Sequence, residues 1–419
     1  MEPPVVPVRI ENRAQLIYLL TEAAELEHEI LCCYLFASFT MKDTVAEGVT
    51  PEQLEAIERW RDLLRGIAVQ EMIHFATACN LLTSIGGQPQ LHRPNLPTGS
   101  RAYPPRFQLQ LVPFSLAAVD QFAALEQPEA IWEAAQQGEF RAAAVPLDRL
   151  SDIFSSERNF STVGELYRGI QDGFSYLTQK LGEETLFVGP PEAQTAQEYF
   201  QMPGLIPVHD LTSALAAIEV IVEQGEGASA DAEDSHYKRF LRIQEEYRQV
   251  LAQDPSFNPA RPVVSSPYAL VPTDLPPTAE ISLIDDPLAG DLCNLFDGCY
   301  ELMLQVLGRL FAHGDEAPET LAAYADIGVS MMFDAIDPLG RAITRMPAGP
   351  GHPGMNAGPS FRLSRGGGSP AHGASARVLF RERAIELQRY CRFLQMEAGA
   401  PEVLTSVAAA LEGYAAKLA

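Results

Sequence analysis

The stretch LIYLLTEAAELEHEILCCYLFASF, Leu16–Phe39, decides the fold. It contains no Gly or Pro, is rich in Leu and Ala, and repeats its apolar residues at helical spacing, so it predicts one long helix from Glu11 to Lys42. The loop DTVAEGVTP follows, ending in Thr50 as N-cap, Pro51 at the first helical position and Gln53 closing a capping box. A second unbroken helical pattern then runs to about Ile85, where Gly86-Gly87 stops it. Two long helices joined by so short a loop pack antiparallel, which is half of a four-helix bundle.

Working outward, a Pro-rich connection (Pro89 to Pro113) has the character of the crossover that starts the second half of a bundle. Its alternating Phe107, Leu109 and Leu111 predict a short strand. Helices are expected around Ser115–Glu126, Ser161–Leu181, Leu211–Glu223 and Asp234–Gln253, two of the last three closing the bundle. From Asp254 to Pro287 the composition shifts to Pro, Ser and acidic residues, the strongest linker signal in the chain. Residues 1–255 are therefore expected to form the helical bundle with its crossover insertions. Residues 256–419 are expected to form the Pro-rich linker and a helical C-terminal domain, with helices at Leu288–Phe311, Pro318–Asp337, Ala374–Leu394 and from Pro401. Within it, Gly354–Leu363 could line a pocket but reads first as a structural loop, and Met331, Met332 and Phe333 read as core.

The 419 residues carry 30 Lys plus Arg against 55 Asp plus Glu, a formal charge of −25. Such a chain repels phosphate backbones, and no basic run concentrates the opposite sign, so nucleic acid is not an expected partner. No stretch approaches the ~18 uninterrupted apolar residues of a membrane-spanning helix. The start, MEPPVVPVRIENR, lacks the basic and apolar regions of a signal peptide, which predicts a cytoplasmic protein. Six cysteines are scattered without a CxxC pair and are expected as buried thiols.

Three of the eight histidines have a Glu three residues upstream: Glu25 before His28, Glu71 before His74, and Glu233 before His236. On a helix, positions i and i+3 share a face, so each pair presents a carboxylate and an imidazole to one point, a metal-ligand fork. Carboxylate-bridged metal pairs in bundle cores take Glu-x-x-His from each of two helices and a single Glu from each of the other two. Glu25 lies 18 residues before Asp43, and Glu71 lies 20 after Pro51, so the first two forks sit at about the same level across the hairpin. Glu165, Glu223 and Glu226 compete for the lone ligand of a further helix. Burying Glu71 and His74 inside GIAVQEMIHFATACNLL would be costly without a metal unless they paired with each other. His28 could instead support a neighbouring ligand, and Glu233 could be a first-turn charge. Tyr18 and Tyr34 flank the first fork and could reach a metal site as hydrogen-bond donors or redox partners, but read first as core packing with satisfied hydroxyls.

Beyond these patterns, AELEHEILCCYLFASF, IAVQEMIHFATACNLLTSIGGQPQLHRPNLP, VGELYRGIQDG, VEQGEG and SHYKRF resemble the ferritin-like domain of the iminophenyl-pyruvate dimer synthase type, over residues 12–250. The resemblance implies a ferritin-type bundle in which Glu25, Glu71, His74 and His236 occupy motif positions, with Glu165 and Glu226 in further matching stretches. Together these observations predict a mainly α protein, a ferritin-like four-helix bundle with a second, helical C-terminal domain. Its expected cofactor is a pair of metal ions, iron first, with manganese or zinc as alternatives. The expected activity is oxidation of a small organic substrate, which the resemblance implies to be amino-acid-derived or indolic, by a chain that could form a homo-oligomer. A metal-storing or detoxifying protein, or a binding scaffold with a degenerate site, are the competing functions.

Overall fold

The computed structural model describes residues 10–98, 109–128, 162–195, 200, 204–225, 234–312, 316–364, 368–370 and 372–419. Helix α1, Arg13–Thr40, begins where the Asn12 side chain accepts the Gln15 N–H at 3.0 Å. Helix α2, Pro51–Ser84, begins with the Thr50/Gln53 capping box and Pro51 in the first turn, as the sequence predicts. It ends at Gly86, whose φ of +81° only glycine adopts without strain. The two helices form the long antiparallel pair.

Two helix pairs lie against α1 and α2, and the three helices from which the sequence expects the bundle to be closed are among them. One pair is the short α3, Leu116–Leu125, capped by Ser115, with α6, His236–Gln253, capped by Ser235. These two pack on each other. Between them in sequence come α4, Val163–Leu181, and α5, Leu211–Gly225, which pack together and lean on α1 and α2 respectively. Phe122 of α3 and Tyr34 of α1 meet edge-on at 4.7 Å, which brings α3 against α1 at that point. Phe107 lies outside the described residues, and Leu109 and Leu111 form no strand. Both are buried, and their carbonyls accept the N–H groups of Thr98 and Ser266.

Beyond residue 255 come α7, Pro287–Phe311; α8, Pro318–Met331; α9, Asp337–Ile343; α10, Gly373–Leu394; and α11, Val403–Lys417. A π-helical turn, Met332–Ile336, joins α8 to α9. The only ladder among the described residues is a parallel pair of two-residue strands, Pro267–Tyr268 and Ser282–Leu283. One apolar core runs from the bundle into these C-terminal helices without a break. Gly340 of α9 lies so close to Phe39 that an added Cβ would stand 2.5 Å from its ring. Asp43, just past α1, accepts from Arg341 at 2.6 Å and pairs with Arg261 at 3.1 Å and with Arg345. Helix α1 is thus covered on both sides, which explains why its sequence is apolar nearly all round.

Smaller readings also meet the structure. All six cysteines are buried and free. The Gly354–Leu363 segment is tied into the interior: Arg93 donates to the Phe361 carbonyl, and Ser360 donates to Asp297. Met331 is buried, but Phe333, expected in the core, is 65% exposed, because the π turn shifts the register of the residues that follow it. Tyr18 is 40% exposed rather than in the core. No helix among the described residues is long and apolar enough to cross a membrane.

Candidate metal centre

Helix α2 brings Glu71 and His74 to its bundle face one turn apart, and α6 brings His236 at its first residue. All three are buried, and one ligand atom from each lies within 4.8 Å of the others. Glu71 stands between two imidazoles: its Oε2 is 2.9 Å from His74 Nδ1, and its Oε1 is 2.9 Å from His236 Nδ1. At the second contact neither atom makes a hydrogen bond of acceptable angle, so both face a shared point without being partners.

Two further carboxylates complete the arrangement. Glu27 of α1 places Oε2 3.8 Å from His74 Nδ1, and Glu126, at the end of α3, places Oε2 3.7 Å from His236 Nδ1. Each is held by its other oxygen: Tyr167 of α4 donates to Glu27 Oε1 at 2.7 Å, and Tyr34 of α1 donates to Glu126 Oε1 at 2.6 Å. Burial raises both phenol pKa values well above normal, so both stay donors. The imidazoles are oriented in the same manner. His74 Nε2 meets Gln224 Oε1 at 3.0 Å, and His236 Nε2 meets Gln70 Oε1 at 3.2 Å. A glutamine oxygen only accepts, so each Nε2 carries a proton and each Nδ1 is the nitrogen turned inward. Arg239, bonded to Asp234, donates to Gln70 Oε1 at 2.8 Å and fixes that amide in turn.

The electrostatics are those of a cation site. Burial opposes charge on both imidazoles, but Glu71, joined by Glu27 at His74 and by Glu126 at His236, outweighs it. His74 is raised well above its usual range and His236 to about 9. Burial likewise opposes charge on Glu71, yet the two imidazoles hold its carboxyl below the usual range. Burial raises Glu27 to about 7, the nearby His74 countering it only in part. The cavity bounded by these groups is only about 10 Å³, room for little beyond a water-sized body. Three carboxylates and two imidazoles, buried with converging lone pairs, fit metal ions, and the space among the described residues is too small for an organic molecule.

Of the residues singled out from sequence, the structure gathers Glu71, His74 and His236. Glu226 and Glu233 lie outside the described residues. Glu25 is not in the cluster: it accepts from Gln90 at 3.0 Å, being two residues, or about 200° of helix, away from Glu27. His28 is turned toward α7, where its Nε2 bonds the Tyr300 hydroxyl, and burial, then Arg93, lower its pKa well below normal. Glu165 sits in the first turn of α4, its N–H donating to Thr162, while its neighbours Gly164 and Tyr167 line the small cavity. Glu223 is exposed. The residues that sequence reasoning missed are Glu27, Glu126, Tyr167 and the two glutamines. A signal existed for two of them: Glu27 shares a helix stripe with Tyr34 seven residues on, and Glu126 is the one glutamate between Pro113 and Pro128.

A buried carboxylate–imidazole cluster inside a four-helix bundle defines the class. A model of the ferritin-like family matches residues 20–245, more than half of the chain, and the protein belongs to that family. The dichlorochromopyrrolate synthase of Lentzea aerocolonigenes is 28% identical over 391 residues, covering 84% of this chain and 36% of that protein. The 2-imino-3-(indol-3-yl)propanoate dimerase of Chromobacterium violaceum is 28% identical over 375 residues, covering 85% of this chain and 34% of that protein. Both are of the dimer-synthase type that the sequence resembles, and this chain spans about a third of their length. A crystal structure of a ferritin-like protein from Caulobacter vibrioides aligns over 78% of this chain and 98% of that one, with 19% identity and a TM-score of 0.46. So loose a superposition carries no argument about the site.

Proposed function

We propose that the chain is a non-haem, dinuclear metal oxidoreductase, with iron the expected metal, acting on a small amino-acid-derived or indolic molecule. The observation that carries this reading is the position of Glu71, one oxygen toward each of two buried Nδ1 atoms. Glu71 would bridge two ions. Glu27 and His74 would complete one position, and Glu126 and His236 the other, a donor set suited to iron, manganese or zinc. A pair of irons held there would supply one-electron oxidation driven by dioxygen.

The chain's own residues do the rest. Tyr34 and Tyr167 tie down the outer carboxylate oxygens, Gln70 and Gln224 set the imidazole tautomers, and the apolar surround excludes bulk water. The indolic class rests on the names of the two relatives, whose greater length makes their whole activity a proposal for this chain. The test is dioxygen uptake by iron-loaded protein supplied with indolic amino-acid-derived compounds, with metal-free protein and Glu71→Ala as blanks. Uptake that requires iron, substrate and Glu71 supports the reading. Iron-loaded protein that consumes no oxygen with any such compound overturns the oxidase and leaves storage or scaffolding.

A further inference from the structure

Helices α1 and α2 carry a second stripe beside the one that bears the cluster. Residues 28, 31, 35 and 39 of α1 are one position out of register with residues 27, 30 and 34, a rotation of about 100°. That stripe and its counterpart on α2 face α7 and the π turn across a cavity of about 190 Å³. It shares no lining residue with the small cavity at Glu71. Its wall is aromatic rings, aliphatic side chains and three methionines, Met72, Met303 and Met332. Polar atoms come from His28 and Tyr300, which bond each other, and from Arg65 and Asp337, an ion pair at 2.5 Å that is partly exposed. Among the described residues that line it, no unpaired charge faces the interior.

We infer that this cavity is a binding site for a neutral, planar aromatic molecule of one or two fused rings. Three observations support that class. The volume somewhat exceeds the roughly 150 Å³ of an apolar cavity known to admit benzene. Methionine thioethers and ring edges are the groups that best adapt to a flat aromatic surface. At the mouth, Phe333 and Val69 are 65% and 40% exposed, an apolar lip displayed to solvent, and Phe333 stands on a π turn, an element frequently found at functional sites. The inference does not rest on the metal, because none of the clustered carboxylates or imidazoles lines the cavity.

The test uses the 419-residue chain with [13C-methyl]methionine and indole as the probe, followed by NMR and calorimetry. Saturable indole binding that shifts the Met72, Met303 and Met332 methyls, and leaves the other methionines still, is the expected result. Val69→Trp, at the exposed mouth where folding tolerates bulk, is expected to weaken binding by roughly tenfold or more while metal content stays unchanged. Indole-3-acetate, whose carboxylate would be buried without a partner, is expected to bind at least about tenfold more weakly than indole. The inference is overturned if indole leaves the three methyls unmoved, if Val69→Trp binds it as the parent does, or if the carboxylate binds as well as indole.

Discussion

The two faces of the α1–α2 pair are built from neighbouring residues and are chemically opposite. Toward α3 and α6, polar groups hold the outer oxygens and nitrogens of the cluster, Glu71 Oε1 and His236 Nδ1 face a shared point without being partners, and the space left is about 10 Å³. Toward α7 and the π turn, the same two helices show apolar side chains around about 190 Å³. One helix pair thus presents a polar side with donors that fit ions and an apolar side that, on our inference, takes an organic molecule, and neither fills the other's space.

The comparison is broken most severely at Glu71. Glu71→Ala should reduce metal content from about two ions per chain to nearly none, since both positions share that carboxylate, while indole binding on the far face persists. Elemental mass spectrometry and calorimetry on the same sample check both halves. Next, Tyr167→Phe and Tyr34→Phe each free one outer carboxylate and should weaken metal affinity by about 10–100-fold, read by competition with a chelator. On the opposite face, Phe333→Ala should cost up to roughly tenfold in indole affinity and nothing in metal stoichiometry. The smallest effect is expected at the joint between the bundle and the C-terminal helices. Asp43→Asn removes charge from the pairs with Arg261, Arg341 and Arg345. It should cost about 1–2 kcal/mol and lower the thermal midpoint by a few degrees, leaving both sites intact.

The inner face was partly legible in the sequence. Glu71 and His74 stand out because a charged fork interrupts an apolar run, and His236 because it repeats the spacing. On α1 the same spacing misdirects: Glu25 and His28 form a fork by count, but the helix faces Glu27 to the cluster, and three glutamates within five residues, Glu25 to Glu29, do not reveal which one faces inward. Glu126 was hidden by the shortness of α3, a helix that looked like a connector. The orienting glutamines and Tyr167 arrive from elements whose tertiary placement no local pattern encodes. The outer cavity was illegible for a different reason. Its lining reads as ordinary core, and Phe333, which reads as core too, stands exposed on a π turn that no local pattern announces.

The central claim is that Glu71 links two ion positions, and the most direct measurement is the number of metal ions per chain in protein purified without added metal or chelator. The account predicts about two, iron first, with Glu71→Ala emptying both. Parent protein that arrives without metal and binds no added Fe(II) would contradict it.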